Sequence, residues 1–106
     1  MSSDVLVVLS TLPTDKAEQI AETLVTEHLA ACVNLVGPVR SVYRWDGAIQ
    51  KDSELLAIIK TTAARYEEMS TRLRALHPYE VPEILALPVG TGYARYLDWV
   101  RGETSD

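Results

Sequence analysis

The residues that could do chemistry gather in a few places in this 106-residue chain. The densest is His77-Pro78-Tyr79-Glu80-Val81-Pro82-Glu83, where an imidazole precedes two carboxylates. A borderline nitrogen beside hard oxygens is a donor set that divalent cations accept, so His77, Glu80 and Glu83 are the candidate metal ligands. Each also has a structural role open to it. A histidine closing a helix is favoured by the dipole and can bond the last carbonyls; Glu80 reads equally as a solvated loop charge and Glu83 as an acceptor at the edge of the core. Asp46, Asp52 and Glu54 form a second acidic group, either a cation site in an assembly or solvated charges that guard a strand. Cys32 is the single cysteine, so neither an intrachain disulfide nor a multi-thiolate zinc site is available; it reads as a small buried hydrophobe. His28 falls by spacing on the apolar side of a helix and reads as half-buried and hydrogen-bonded. No nucleophile motif frames Ser10, Ser41 or Cys32, and no phosphate-binding glycine pattern occurs. The chain reads as a binding protein rather than an enzyme.

Composition sets the frame for these side chains. With 47% hydrophobic and 24% charged residues the chain is globular, and its length allows one domain, residues 1–106. The net charge of −5 argues against nucleic acid or an anionic membrane as partner. No basic stretch followed by an apolar one opens the chain, and no apolar run is long enough to span a bilayer, so the expected setting is cytoplasmic.

The elements that must position the candidates follow from periodicity. Val5–Leu9 reads as a buried strand broken by Thr11-Leu12-Pro13. Thr14 or Asp15 is placed to cap a helix that carries Ala17, Ile20, Ala21, Leu24, Val25 and His28 on one face and ends near Ala30. Cys32–Trp45 is extended, with Gly37-Pro38 as a bulge or bend. Asp46-Gly47 signals a tight hairpin turn, and the return arm runs from Ala48 to Thr61. A second amphipathic helix shows Tyr66, Met69, Leu73 and Leu76 on one face and stops at His77-Pro78. Glu83–Val89 reads as a last strand, and Tyr96, Leu97, Trp99 and Val100 as a short terminal helix. The β-α-β-β-α-β order predicts an α+β, ferredoxin-like sandwich with a long central β-hairpin and a short C-terminal helix.

Two features of the strands point to assembly. Val5–Leu9, Leu55–Ile59 and Ile84–Leu87 are apolar on both faces, whereas a sheet with one wetted face should alternate. An arm from Cys32 to Trp45 reaches about 43 Å at ~3.3 Å per residue, beyond the roughly 35 Å expected of a compact chain this long. A cyclic oligomer would cover the apolar face and dock the hairpins, with Tyr43, Trp45 and Tyr79 as aromatic anchors.

Leu29-Ala30-Ala31-Cys32-Val33-Asn34, Tyr43-Arg44-Trp45-Asp46-Gly47, Ile59-Lys60-Thr61-Thr62, His77-Pro78-Tyr79-Glu80-Val81-Pro82-Glu83-Ile84 and Tyr96-Leu97-Asp98-Trp99 together resemble the CutA divalent-cation tolerance family, in order and across nearly the whole chain. The resemblance implies a cytoplasmic homotrimer of ferredoxin-like subunits that binds copper and other divalent ions without an established reaction, and no organic cofactor. It also implies a thiol and a further histidine at positions where this chain has Ser10 and Leu76, so copper binding is expected to be weak. Two other classes share the topology. A PII-like trimeric signalling protein would need a long loop where Asp46-Gly47 makes a two-residue turn, and an acylphosphatase-like hydrolase would need an arginine cradle after the first strand, where Thr11–Asp15 offers none.

Overall fold

The structure is a computed structural model and describes residues 4–105; the leader reading at Met1, Ser2 and Ser3 lies outside them. Its elements are β1 (Val5–Pro13), α1 (Ala17–Thr26), β2 (Cys32–Trp45), β3 (Ala48–Thr62), α2 (Ala63–Leu76), β4 (Leu85–Pro88) and α3 (Ala94–Glu103). The strands form one antiparallel sheet in the order β2-β3-β1-β4, the ferredoxin-like arrangement expected from the element order. Asp46 (φ 53°) and Gly47 (φ 78°) both take positive φ, as a type I′ turn requires. The molecule measures 44 × 26 × 22 Å, elongated along the hairpin.

Several boundaries differ from the sequence expectation. β1 does not break at Thr11 but continues to Pro13, which pairs with Glu54. The β4 ladder covers only Leu6–Leu9 of β1, so a proline at the end of β1 removes no hydrogen bond from that side. Neither Thr14 nor Asp15 caps α1; Lys16 stands at the N-cap without a side-chain bond. The same helix stops at Thr26 rather than near Ala30, because His28 turns into the left-handed region at φ 60°. The amides of His28 and Leu29 then bond back to the carbonyls of Val25 and Leu24, the two bonds of a Schellman ending, with Leu29 and Leu24 packed in one cluster. His28 is therefore exposed and not on the apolar face; its Nδ1–H donates to the Glu103 carbonyl at 2.9 Å and ties α3 to the end of α1. β4 is shorter than Glu83–Val89. β3 ends at Thr62, one residue beyond the expected arm.

Val8, Leu12, Ile20, Leu24, Ile59, Met69 and Leu73 make the core between the helices and one face of the sheet. Strand pairing and the two-residue period place Val7, Leu9, Leu56, Ile58, Val36, Leu85 and Leu87 on the other face. α3 covers one end of that face through Val100 and Leu97 against Val5 and Ala31. Cys32 beside it is half-buried rather than enclosed. The middle stays open, with Val36 45%, Leu87 51% and Leu85 56% exposed in the single chain. The apolar second face read from the strands is therefore present.

Ser10 lies on the core side of β1, opposite Ala57. It is fully buried, and its hydroxyl has no hydrogen-bond partner among the described residues. An orphaned buried hydroxyl costs about 1–3 kcal/mol, part of which returns as lost packing when the oxygen is removed. Ser10→Ala is expected to raise stability by about 1 kcal/mol, read as a higher urea midpoint at unchanged slope.

Candidate functional site

A groove of about 550 Å³ lies at the hairpin end of the open face, lined by Tyr43, Trp45, Glu54, Tyr79, Glu80 and Glu83 among others. β3 supplies Glu54, β2 supplies Tyr43 and Trp45, and the segment between α2 and β4 supplies the rest. The bulge at Gly37-Pro38 decides which β2 side chains take part. The register slips between Val36 and Val39, so that Val39 faces Glu54 and Tyr43 faces Gln50. Beyond the bulge the odd-numbered residues of β2 share the face of Glu54 and Asp52. With an unbroken ladder Val42 and Arg44 would stand there instead.

His77 is buried at 6% exposure, and both ring nitrogens are occupied. Nε2–H donates to the Thr11 carbonyl at 2.8 Å, and Nδ1 accepts the Tyr79 amide at 3.2 Å. A carbonyl can only accept and an amide can only donate, which sets the neutral tautomer with the proton on Nε2. Thr11 lies past the end of the β4 ladder, so the imidazole satisfies a carbonyl that the short strand leaves behind. A metal would have to displace one of these bonds. The histidine acts as a pin that holds Tyr79, whose ring centroid lies 4.5 Å from its own.

Tyr79 passes this placement on. Its hydroxyl donates to Glu54 Oε2 at 2.7 Å, and burial together with that carboxylate pushes its pKa upward. Tyr43 hydrogen-bonds Asp52 through its hydroxyl, and that bond, with burial, raises its pKa as well. Both phenols therefore stay protonated and spend their protons on carboxylates. Glu54 is only 3% exposed, which corrects its reading as a solvated tip charge: it shares the face of Leu56 and Ile58 by the two-residue period, a signal present in the sequence. Asp46 remains an exposed turn residue, apart from Asp52 and Glu54, which share one face of β3.

Glu80 and Glu83 are exposed at the groove and His77 is turned away from them into its two backbone bonds. Among the described residues no three of His, Cys, Asp and Glu stand together as a metal-binding group. One chain thus brings two of its three predicted ligands to one opening without completing a coordination sphere. Ser10 faces the core from the opposite side of the sheet and contributes nothing to the groove. Tyr43 and Trp45, predicted as interface anchors, are 40% and 45% exposed in the single chain; Tyr79 is half-buried.

Comparison with known proteins adds a second line. Residues 6–103 match the profile of the CutA1 divalent ion tolerance protein. The chain is 50% identical over 99 residues to the divalent-cation tolerance protein CutA of Thermus thermophilus, covering 92% of this chain and 96% of that one. It is 44% identical over 100 residues to the chloroplastic protein CutA of Arabidopsis thaliana, covering 93% of this chain and 55% of that one; the chain spans about half the length of that relative. The PII-like protein CutA of Nostoc superposes with a TM-score of 0.90 at 38% identity, covering 94% of this chain and 97% of that one. No helix among the described residues is long and apolar enough to cross a membrane.

Proposed function

The chain belongs to the CutA1 divalent ion tolerance family, and from that premise we propose that it acts as a homotrimer that binds divalent cations weakly, without catalysis, through carboxylates pooled at the subunit boundary. The observation that carries this reading is the position of Glu80 and Glu83 at the mouth of a groove that adjoins the open apolar face. Val36, Leu85 and Leu87 leave that face half exposed, and a contiguous apolar patch of this kind marks a protein contact. Copies that cover it for one another bring their grooves together, so that carboxylates from neighbours can complete the sphere that one chain leaves open. Oxygen donors of this kind suit hard divalent ions and hold copper(II) loosely compared with thiolate or imidazole sites. His77 serves the site from behind by holding Tyr79 in place.

A second reading has one specific point in its favour, the structural likeness to a protein described as PII-like. A trimeric signalling role would place a small ligand between subunits at this same groove. No lysine or arginine lines it, so a phosphate-bearing nucleotide is disfavoured there.

Light scattering of the purified chain at micromolar concentration is expected to give three times the monomer mass. Calorimetric titration with copper(II) is expected to give micromolar or weaker binding that falls at least tenfold when Glu80 and Glu83 are both replaced by glutamine. A monomer mass, or nanomolar copper binding that survives both substitutions, would reject the reading.

A further inference from the structure

We propose that the helix-side face of the overhanging hairpin is a docking surface for an extended acidic peptide segment of another protein, held by Arg40, Arg44 and Lys51. The proposal goes beyond the divalent-cation reading and uses neither the groove nor Glu54.

The face follows from the strand register. Beyond the bulge, Arg40 pairs with Ser53, Val42 with Lys51 and Arg44 with Ile49. The two-residue period sets these six on the side opposite Glu54, Asp52 and Tyr43. They continue the side of β3 that carries Leu55, Ala57 and Ile59 into the core, past the point where the core covers it. All six are exposed, whereas Ser41, Gln50, Asp52 and Glu54 across the ribbon are wholly or partly covered. The contact between copies proposed above takes the groove side, through Tyr43 and Trp45. A ribbon laid on a neighbour by one face turns the other to solvent, so this side stays free in the assembly.

The charge on this side has one sign. Lys51 stands diagonally between Arg40 and Arg44, roughly 7–8 Å from each. Among the described residues none of the three forms an ion pair, whereas Arg65, Arg72 and Arg101 are all matched with carboxylates. The carboxylates of the ribbon are engaged elsewhere or stand apart: Asp52 takes the Tyr43 hydroxyl on the far face, and Asp46 is in the turn. Like charges held as neighbours on a sheet are unfavourable, and no acidic residue of the chain offsets these. An anionic partner does.

Spacing and the residues in between say what kind of anion. Arg40 and Arg44 lie four residues apart along β2, about 13 Å at ~3.3 Å per residue. Side chains on one side of an extended peptide recur every two residues, so carboxylates at alternate positions meet Arg40, Lys51 and Arg44 in turn. Each contact is a charge-assisted hydrogen bond, and the two guanidinium forks match carboxylates two-pronged. Val42 and Ile49, 64% and 56% exposed, offer aliphatic surface to the carbon stems of such acids. A lone phosphate leaves that surface unused. A membrane or a nucleic-acid duplex is a broad anionic surface that meets the rest of a chain of net charge −5 as well; a short segment meets the ribbon alone.

The test uses the intact protein and a fluorescently labelled peptide, Glu-Val-Glu-Val-Glu, with Gln-Val-Gln-Val-Gln as the uncharged control. Anisotropy at low salt is expected to show saturable binding of the acidic peptide, weakening as sodium chloride is raised, and none of the control. Replacing Arg40, Arg44 and Lys51 together by glutamine is expected to weaken the acidic peptide at least tenfold, with the mass in light scattering and the copper(II) titration unchanged. Replacing Lys16, Arg74 and Arg95 by glutamine makes the same change in net charge away from the ribbon and is expected to leave binding intact. Equal losses in the two triple variants, or binding of the control peptide, would overturn the proposal. So would capture by phosphatidylserine vesicles with no peptide binding, which points to a membrane instead. A ribbon variant that falls to a lower mass would overturn it too, since its cations would then serve a neighbouring copy. A chain that runs as a monomer yet binds the acidic peptide rejects the trimer alone.

Discussion

Replacing Gly37 by alanine is expected to destabilise the fold by about 2–4 kcal/mol, the sum of a strained backbone and an overpacked contact. Gly37 has φ +141°, a region that side chains rarely enter. A Cβ there would stand 2.8 Å from the Val39 amide nitrogen, 3.2 Å from the Glu54 carbonyl oxygen and 3.1 Å from a Leu55 methyl. Two of the three obstacles are backbone and cannot swing aside. Relief requires the bulge to open, and the bulge sets the register of the whole outer hairpin. The substitution is therefore expected to act twice: a lower urea midpoint, and a groove whose β2 residues no longer line up on Glu54. Gly47 is the control. It too has positive φ, but nothing lies within 4 Å of its added Cβ, so Gly47→Ala is expected to cost only about 1 kcal/mol of backbone strain. Equal effects of the two substitutions would contradict the packing argument.

Removing the imidazole in His77→Ala is expected to cost about 2–4 kcal/mol. Two part-buried backbone groups, the Thr11 carbonyl and the Tyr79 amide, lose their partner at once, and each orphaned group costs about 1–3 kcal/mol unless water reaches it. Against a total stability of order 5–15 kcal/mol this is a large share. Denaturation at a fixed protein concentration, in the presence of a chelator, measures it. A structural pin predicts the same loss with and without copper(II). A ligand role predicts that the deficit appears only when metal is present, and that outcome would reject the assignment made from the two hydrogen bonds. Tyr79 should also loosen from Glu54 in the variant, so its fluorescence or NMR signal is expected to broaden.

These two positions show what pattern could and could not reveal. Gly37-Pro38 was visible as an interruption, and the interruption is real. Its consequence, that odd rather than even residues of β2 face Glu54 beyond it, depends on how many residues the bulge absorbs, and nothing local in the chain counts them. His77 was visible as the end of a helix beside two carboxylates. Which way its ring turns depends on where β4 stops along β1, a fact about strands far apart in sequence. Glu54 is an intermediate case. Its period with Leu56 and Ile58 marks it as facing an apolar surface, and the hairpin tip nearby drew it instead into an acidic group.

By itself the sequence determined the order of strands and helices, the type I′ turn, the stop of α2 before Pro78 and the presence of a second apolar sheet face. Each of these rests on interactions within a few residues: side-chain period, turn dihedrals, a proline ring. Only the tertiary structure decided the ends of β1 and α1, the burial of Ser10 and Glu54 and the tautomer of His77, and with them the shape of the groove. Those depend on which backbone groups are left unpaired once the sheet has formed, and pairing between distant strands is a property of the assembled fold.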